Sequence, residues 1–487
     1  MLKTKPEQPS FYSLLYDKIP KDHILKKLNI HLDFSFINQL LASQYCRDFG
    51  RPAWEPEFMV KILFLQKLYN LSDEKIIEDI RLNLAFMYFL EMNPEDEPPE
   101  RSLLSKFRTF RLNHMTLDEI MAEIVQQCVE KGLIKGTKNG ISIDSTHTLA
   151  NTRKKMPEQM MRSLARKIIR STIKDGADSS IFPEEPKVPA TVTPQEEKAI
   201  MQSFLVEIMN RSESYQRPGR TTKKMLENAR ELLKNPAFLA QTGPRSLVDK
   251  DARVGRKSRE ISFFGYKTEF AMTTEERIIT AVRTHPGSYA DGDSAKELMK
   301  ITKNSGVNFT EVYGDKAYFR KPILDAITEA NAKAYIPVSE LVYRVDETNF
   351  SYNKDADVWS CAKGNMTDKK TVNKSNRKLA RYSSHSYYFT KAGCQACEHK
   401  EQCAGKKSRR RLNLGVNAAE FYEISQEQKK EEFKLQYRKR ATIEGKNAEL
   451  KRFHGLDRAK GYGLLRVSME AKLAAIAANL KRIAAMS

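Results

Sequence analysis

The stretch from Tyr437 to Lys451, YRKRATIEGKNAELK, constrains this chain more than any other. It is rich in Lys, Arg, Glu, Ala and Leu and contains no proline, so it reads as a helix whose one weak point is Gly445. At about 100° per residue, Tyr437, Arg440, Glu444 and Lys451 share one face, while Leu435, Ile443, Leu450 and Phe453 gather on the other. One face is core; the other presents a carboxylate between two cations and a phenol. A solvated stripe with an i,i+4 Arg440/Glu444 pair, stabilising the helix by roughly 0.3 to 0.5 kcal/mol, is one reading of the polar face. Gly445 favours another, because glycine inside a helix costs about 1 kcal/mol relative to alanine and suits a place where a backbone or ligand comes close.

The spacing Tyr, two residues, Arg, three, Glu, six, Lys resembles the Tyr-Arg-Glu-Lys signature of DDE transposases from bacterial insertion sequences. The resemblance implies that Glu444 is the last acid of a metal-binding triad and that two more acids lie upstream. GISIDSTHTLANT reads as a short strand with Asp144 at or near its end. In NFTEVYGDKAYFRKPILDAITEAN, Phe309, Val312 and Tyr313 form a strand, Gly314 frees the backbone, Asp315 stands at the strand's end, and Pro322 opens a helix. FFGYKTEFAMT and RIITAVRT supply two strands joined by a polar turn, and AKAYIPV a fifth. Antiparallel strands followed by strand-helix-strand make a mixed sheet, the order expected of a ribonuclease-H-like fold. Asp249, Asp251, Asp291 and Asp293 are rival second acids, but their surroundings read as turns. The DKDAR stretch followed by GYK also resembles a recurrent stretch of these transposases.

Asp144, Asp315 and Glu444 are distant in sequence, and the ribonuclease-H-like resemblance brings them together. Three converging carboxylates stay ionised only if cations compensate them. Mg²⁺ or Mn²⁺ suits hard oxygen ligands and keeps positions for water and phosphate. Two ions about 3.5 to 4 Å apart could activate water or a DNA 3′-hydroxyl and stabilise the leaving oxygen, which is strand cleavage followed by strand transfer. The resemblance further implies that Tyr437, Arg440 and Lys451 hold phosphates of the transposon end.

The formal charge of +21, from 83 Lys+Arg against 62 Asp+Glu, predicts a polyanionic partner. No run of 18 or more apolar residues and no signal peptide is visible, so double-stranded DNA is expected rather than a membrane, and the cytoplasm as its place.

Residues 1–30 read as a loosely ordered arm and 31–130 as a helical DNA-binding domain. Pro56 suits a first helical turn, Ser72 is a credible N-cap, and RSLLSKFRTFRLNH carries Lys106, Arg108 and Arg111 on a basic final helix. A helix-turn-helix-like reader of the major groove and an ordinary helical bundle both fit. This segment too resembles the N-terminal domain of the same transposases. Residues 131–338 form the first part of the catalytic core, interrupted over about 150–258 by a charged helical insertion. Residues 339–415 form a Cys-rich basic insertion, and 416–487 the last part of the core with a final helix. The fold class expected is therefore α+β and multidomain, an all-α N-terminal domain ahead of a ribonuclease-H-like mixed α/β core with two insertions.

Of six cysteines, Cys46 and Cys128 read as small buried side chains. Cys361, Cys394, Cys397 and Cys403 could complete a tetrahedral, structural zinc site in an insertion that otherwise lacks core, with His399 as a substitute; reduced, metal-free thiols fit about equally well. The basic runs KKTVNKSNRKLARY and GKKSRRRL would extend a phosphate track or be solvated surface. Trp359 and Tyr387 could stack on an extruded base, although a structural role is the simpler reading, as it is for His454.

The expectation is a DDE transposase that cleaves transposon ends and joins them to target DNA, working as a homodimer or larger assembly because two ends must be handled together. A nuclease that cuts without joining, and a domesticated DNA-binding protein or repressor without chemistry, are the rivals.

Overall fold

The computed structural model describes residues 11–46, 52–112, 114–135, 139–189, 191–215, 218–240, 243–258, 260–374 and 383–487. A 3-10 segment, Phe11–Lys18, precedes seven helices: α1 (Ile24–His31), α2 (Phe36–Leu41), α3 (Pro56–Leu68), α4 (Asp73–Leu82), α5 (Leu84–Leu90), α6 (Arg101–Phe110) and α7 (His114–Glu130). Pro56 occupies the first turn of α3 as its fixed φ allows. The Ser72 hydroxyl accepts the Lys75 N–H at 3.1 Å, and the Asn83 side chain accepts the N–H groups of Ala85 and Phe86, so one residue turns α4 into α5. α3 is buried all round from Pro56 to Lys67.

The arm expected over the first thirty residues is in part core. Leu25 and Leu28 are fully buried, and Lys27 Nζ donates to the Ala484 and Ser487 carbonyls at the other end of the chain. Residues 1–10 lie outside the described residues, as do 375–382 of the basic run KKTVNKSNRKLARY.

The core begins with β1 (Asn139–Leu149). Then come the helices α8 (Pro157–Lys174), α9 (Pro194–Glu213), α10 (Arg220–Lys234) and α11 (Pro236–Leu239), over the segment expected to be an insertion, followed by β2 (Arg253–Arg256), β3 (Ser262–Thr273) and β4 (Ile279–Pro286). Next are α12 (Ala295–Asn304), β5 (Phe309–Tyr313), α13 (Lys321–Glu329) and β6 (Lys333–Tyr335). β2 and β4 both pair with β3; β3 runs antiparallel to β1, and β1, β5 and β6 run parallel, giving the order β4-β3-β1-β5-β6. Helices α8 to α11 carry a core of their own, including Met161, Leu164, Phe204, Leu205 and Ile208.

A second set of strands follows: β7 (Phe350–Asn353), β8 (Val358–Cys361), β9 (Thr367–Lys374), β10 (Ser383–Phe389), the short helices α14 (Lys391–Gln395) and α15 (Lys400–Cys403), and β11 (Arg411–Gly415). Contrary to the expectation from sequence, these residues have a core. Trp359, Tyr387, Phe389 and Leu412 are buried in one cluster that also holds Ile141, Ile143 and Val312 of the main sheet.

The chain ends with α16 (Ala418–Gln428), α17 (Glu431–Tyr437), a 3-10 turn over Arg438–Arg440, α18 (Ala441–His454) and α19 (Leu464–Met486). The single helix expected over Tyr437–Lys451 is thus interrupted. Ile443 and Leu450 are buried, but Leu435 is 63% and Phe453 55% exposed; the tightened turn rotates Leu435, which precedes it, off the buried face. α19 is the hub that joins sheet to helices. Its fully buried Asn479 side chain accepts the Ile279 N–H at 2.8 Å and donates to the Ile279 carbonyl at 2.7 Å, serving the backbone of β4 as a neighbouring strand would. Among the described residues no helix is long and apolar enough to cross a membrane.

Candidate active site

Register brings the first two acids together. The last pair between the parallel strands β1 and β5 is Ser142 with Tyr313, and two residues further along each chain stand Asp144 and Asp315. β5 stops there, whereas β1 continues to Leu149 along β3, so Asp144 lies mid-strand rather than at the strand end expected from sequence. Gly314 permits the exit from β5, since a Cβ there would meet Tyr318 at 3.2 Å. Asp315 then turns the chain by accepting the Ala317 N–H at 2.8 Å.

Asp144 is 8% exposed, and burial, with Asp315 adding to it, pushes its carboxyl up to about 6. Arg440, the Ser145 N–H and the Asn447 amide oppose the shift.

Two of the opposing groups come from the 3-10 turn and the helix α18 that follows it. Arg440 Nη2 lies 3.7 Å from Asp144 Oδ2, and its Nη1 donates to Glu444 Oε1 at 3.0 Å. The same guanidinium feels the charge of Asp315, so one cation serves all three acids. Asn447 Nδ2 donates to Asp144 Oδ2 at 3.0 Å, while Asn447 Oδ1 and Arg440 Nε are buried with no hydrogen-bond partner among the described residues. Glu444 keeps its side chain 65% exposed. Among the described residues, no three His, Cys, Asp or Glu side chains are grouped so as to hold a metal ion. The expected carboxylate cage is therefore a neighbourhood centred on Arg440. Gly445 is not explained by a close backbone, because a Cβ there would find nothing within 4 Å.

One helical turn beyond Asn447, Lys451 Nζ lies 3.2 Å from His147 Nδ1. Burial and the charges of Lys451, Lys257 and Lys267 hold His147 down to about 4, so it is a neutral ring among cations. Tyr437 stacks on Phe433 at 6.0 Å. Asn447 and His147 were missed in the sequence, yet Asn447 is three residues from Glu444 and four from Lys451, the spacing of one helical face.

The rival acids are engaged elsewhere. Asp249 is fully buried and accepts the Tyr266 hydroxyl and the Gly463 N–H, tying the DKDAR and GYK stretches to the start of α19. Gly265 of that GYK lets β3 lie against β1, since a Cβ would fall 2.1 Å from the Thr148 carbonyl oxygen. Asp251 accepts the Leu464 N–H, Asp291 pairs with Lys267 and Ser145, and Asp293 pairs with Arg320.

On α6, Lys106 is exposed, whereas Arg108 is tied to Asp73 and Gln66, and Arg111, at the helix end, bonds the Gln44 carbonyl and lies 4.8 Å over the Tyr45 ring. Trp359 and Tyr387 are 0% and 2% exposed, so neither can receive a base as it stands. His454 is buried against the Lys67 carbonyl at 3.1 Å, a structural position. Cys128 is buried as expected, but Cys46 is exposed.

Residues 13–110 match the family model of a transposase domain (DUF772), and residues 360–484 match that of a transposase DDE domain. No curated protein and no solved structure matches the chain. Glu444 falls within the second match, and Asp144 and Asp315 lie between the two. Both matches support a DNA-processing enzyme of the transposase kind. More narrowly, the two matches together support an insertion-sequence DDE transposase.

Proposed function

We propose that the chain cleaves DNA at the ends of a mobile element and transfers the freed strands into target DNA, with Asp144, Asp315 and Glu444 as its catalytic acids. The observation that carries this reading is the register of β1 against β5, which sets Asp144 and Asp315 abreast beside the helix bearing Glu444. The sheet order is the reason to read the core as ribonuclease-H-like, with residues 150–258 and 339–415 as insertions in it.

The donors suit a hard divalent cation such as Mg²⁺ or Mn²⁺: three carboxylates and the unpartnered Asn447 Oδ1, all oxygen. Such an ion would supply the positive charge that polarises a water or a 3′-hydroxyl and steadies the leaving oxygen. Arg440 supplies compensation until then, and a phosphate oxygen would give its guanidinium an equivalent partner when it leaves the carboxylates. Tyr437 and Lys451, with Arg440, would line the backbone of the transposon end, and Lys106 would meet a phosphate from α6. At least two copies would act together on two ends.

The rival reading, a DNA binder without chemistry, is disfavoured by the presence together of all three acids and of the flanking Tyr437, Arg440 and Lys451.

Incubation of an end-containing duplex with Mg²⁺ and either wild type or the variants Asp144→Ala, Asp315→Ala and Glu444→Ala tests the assignment. Cleavage and joining by wild type alone is expected. Equal activity in all four would end the triad reading, and cutting without joining would favour the nuclease.

A further inference from the structure

The four cysteines of the insertion, which the transposition chemistry does not use, converge from separate elements. Cys361 ends β8, Cys394 lies in α14, Cys397 sits in the link that follows, and Cys403 ends α15. All four, with His399 and Arg410, line one cavity of about 330 Å³.

Hydrogen-bond donors already face one of these sulfurs. Buried Cys394 Sγ accepts from Asn365 Nδ2 at 3.3 Å and from the Arg410 backbone N–H at 3.5 Å. Cys361 opens a turn in which the Gly364 N–H returns to its carbonyl at 2.8 Å, and Cys397 opens another with the Lys400 N–H at 3.1 Å. The four thiols thus face one enclosed space, from the end of β8 on one side and from α14, α15 and the link between them on the other. No three of them are yet grouped to hold a metal ion, so ligation has to draw the two short helices and β8 together across the cavity.

We propose that Cys361, Cys394, Cys397 and Cys403 form a four-thiolate site for a structural zinc ion. Each thiol gives its proton to solvent on binding, and the dication removes the mutual repulsion that keeps four thiolates from coexisting. His399, on the same wall, is not a ligand in this arrangement. Cys394 belongs to the apolar cluster that includes Trp359, Phe389 and Phe421 as well as Ile143 and Val312, so the ion would fasten the insertion to the sheet that carries Asp144.

Metal analysis of the full-length protein tests this independently of any DNA reaction. A single zinc per chain is expected in wild type, Cys46→Ser and His399→Gln, and its loss in each of Cys361→Ser, Cys394→Ser, Cys397→Ser and Cys403→Ser. Should those variants fail to fold, wild type stripped of metal and titrated with Co²⁺ should develop a thiolate-to-cobalt charge-transfer band. Wild type without zinc and without that band would overturn the proposal. Retention of zinc by Cys361→Ser, or its loss from His399→Gln, would overturn the four-thiolate set.

Discussion

Arg440 decides the electrostatics of the site. Its guanidinium stands between Asp144 and Glu444, at 3.7 and 3.0 Å, and replaces by one charge what divalent ions would supply. Removing it should leave Asp144 buried without a cation nearby, a loss of about 1 to 3 kcal/mol. Arg440→Gln should therefore melt earlier than wild type in chelator and recover more on addition of Mg²⁺; thermal unfolding with and without the ion checks this, and equal Mg²⁺ shifts in both proteins would contradict it. Asn447 acts through Asp144, which it holds at 3.0 Å. Asn447→Ala should lower cleavage roughly 10- to 100-fold while leaving the melting temperature almost unchanged. The face that carries Glu444 and Lys451 was legible in the sequence from helical spacing, although Asn447 between them was not singled out. That Arg440 would turn inward to the acids was not legible, since the pairing depends on where β1 lies.

Among the elements, α18 and α19 pack against both the main sheet and the N-terminal helices, and one polar group on each contributes to stability in a different way. Asn479 on α19 completes the backbone bonding of Ile279. Asn479→Leu would leave a buried N–H and a buried C=O unmatched, and urea unfolding should register a loss of about 2 to 4 kcal/mol. Glu449 on α18 lies 2.7 Å from Lys446 and 3.8 Å from the His454 ring. Burial works against its charge, but these partners override it and hold the carboxyl down to about 2, from 4.5. A depressed carboxylate stabilises the fold above its unfolded value, so this contribution is full above pH 4.5 and is lost as pH falls toward 2. It amounts to at most about 3 kcal/mol, reduced by the cost of burying Lys446. Acid titration of Glu449→Gln should show a flatter loss of stability over that window than wild type. The strands β3 to β6 and the helices α3 and α4 could be read from periodicity and caps. The 3-10 turn at Arg438–Arg440, the length of β1 and the core of the Cys-rich insertion could not. Each depends on packing between segments separated by a hundred residues or more, which no local pattern records.

At the scale of the whole molecule, charge and division of labour matter most. A surplus of +21 should make binding to any duplex steeply salt-dependent, with affinity falling roughly 10³-fold or more between about 50 and 200 mM salt. A nearly flat dependence in a filter-binding series would count against a DNA partner. Helices α8 to α11 keep a core of their own, whereas residues of β7, β8, β10 and β11 share the core of the sheet, so only the latter are packed into the scaffold of the acids. The central claim, that three remote carboxylates serve one divalent-ion site, is tested most directly by metal-directed backbone cleavage. Fe²⁺ in place of Mg²⁺, with peroxide and ascorbate, should cut the polypeptide beside Asp144, Asp315 and Glu444 together when the end duplex is bound, and excess Mg²⁺ should suppress all three cuts. Cuts confined to one of these positions, or found only around Cys394 and Cys403, would contradict it.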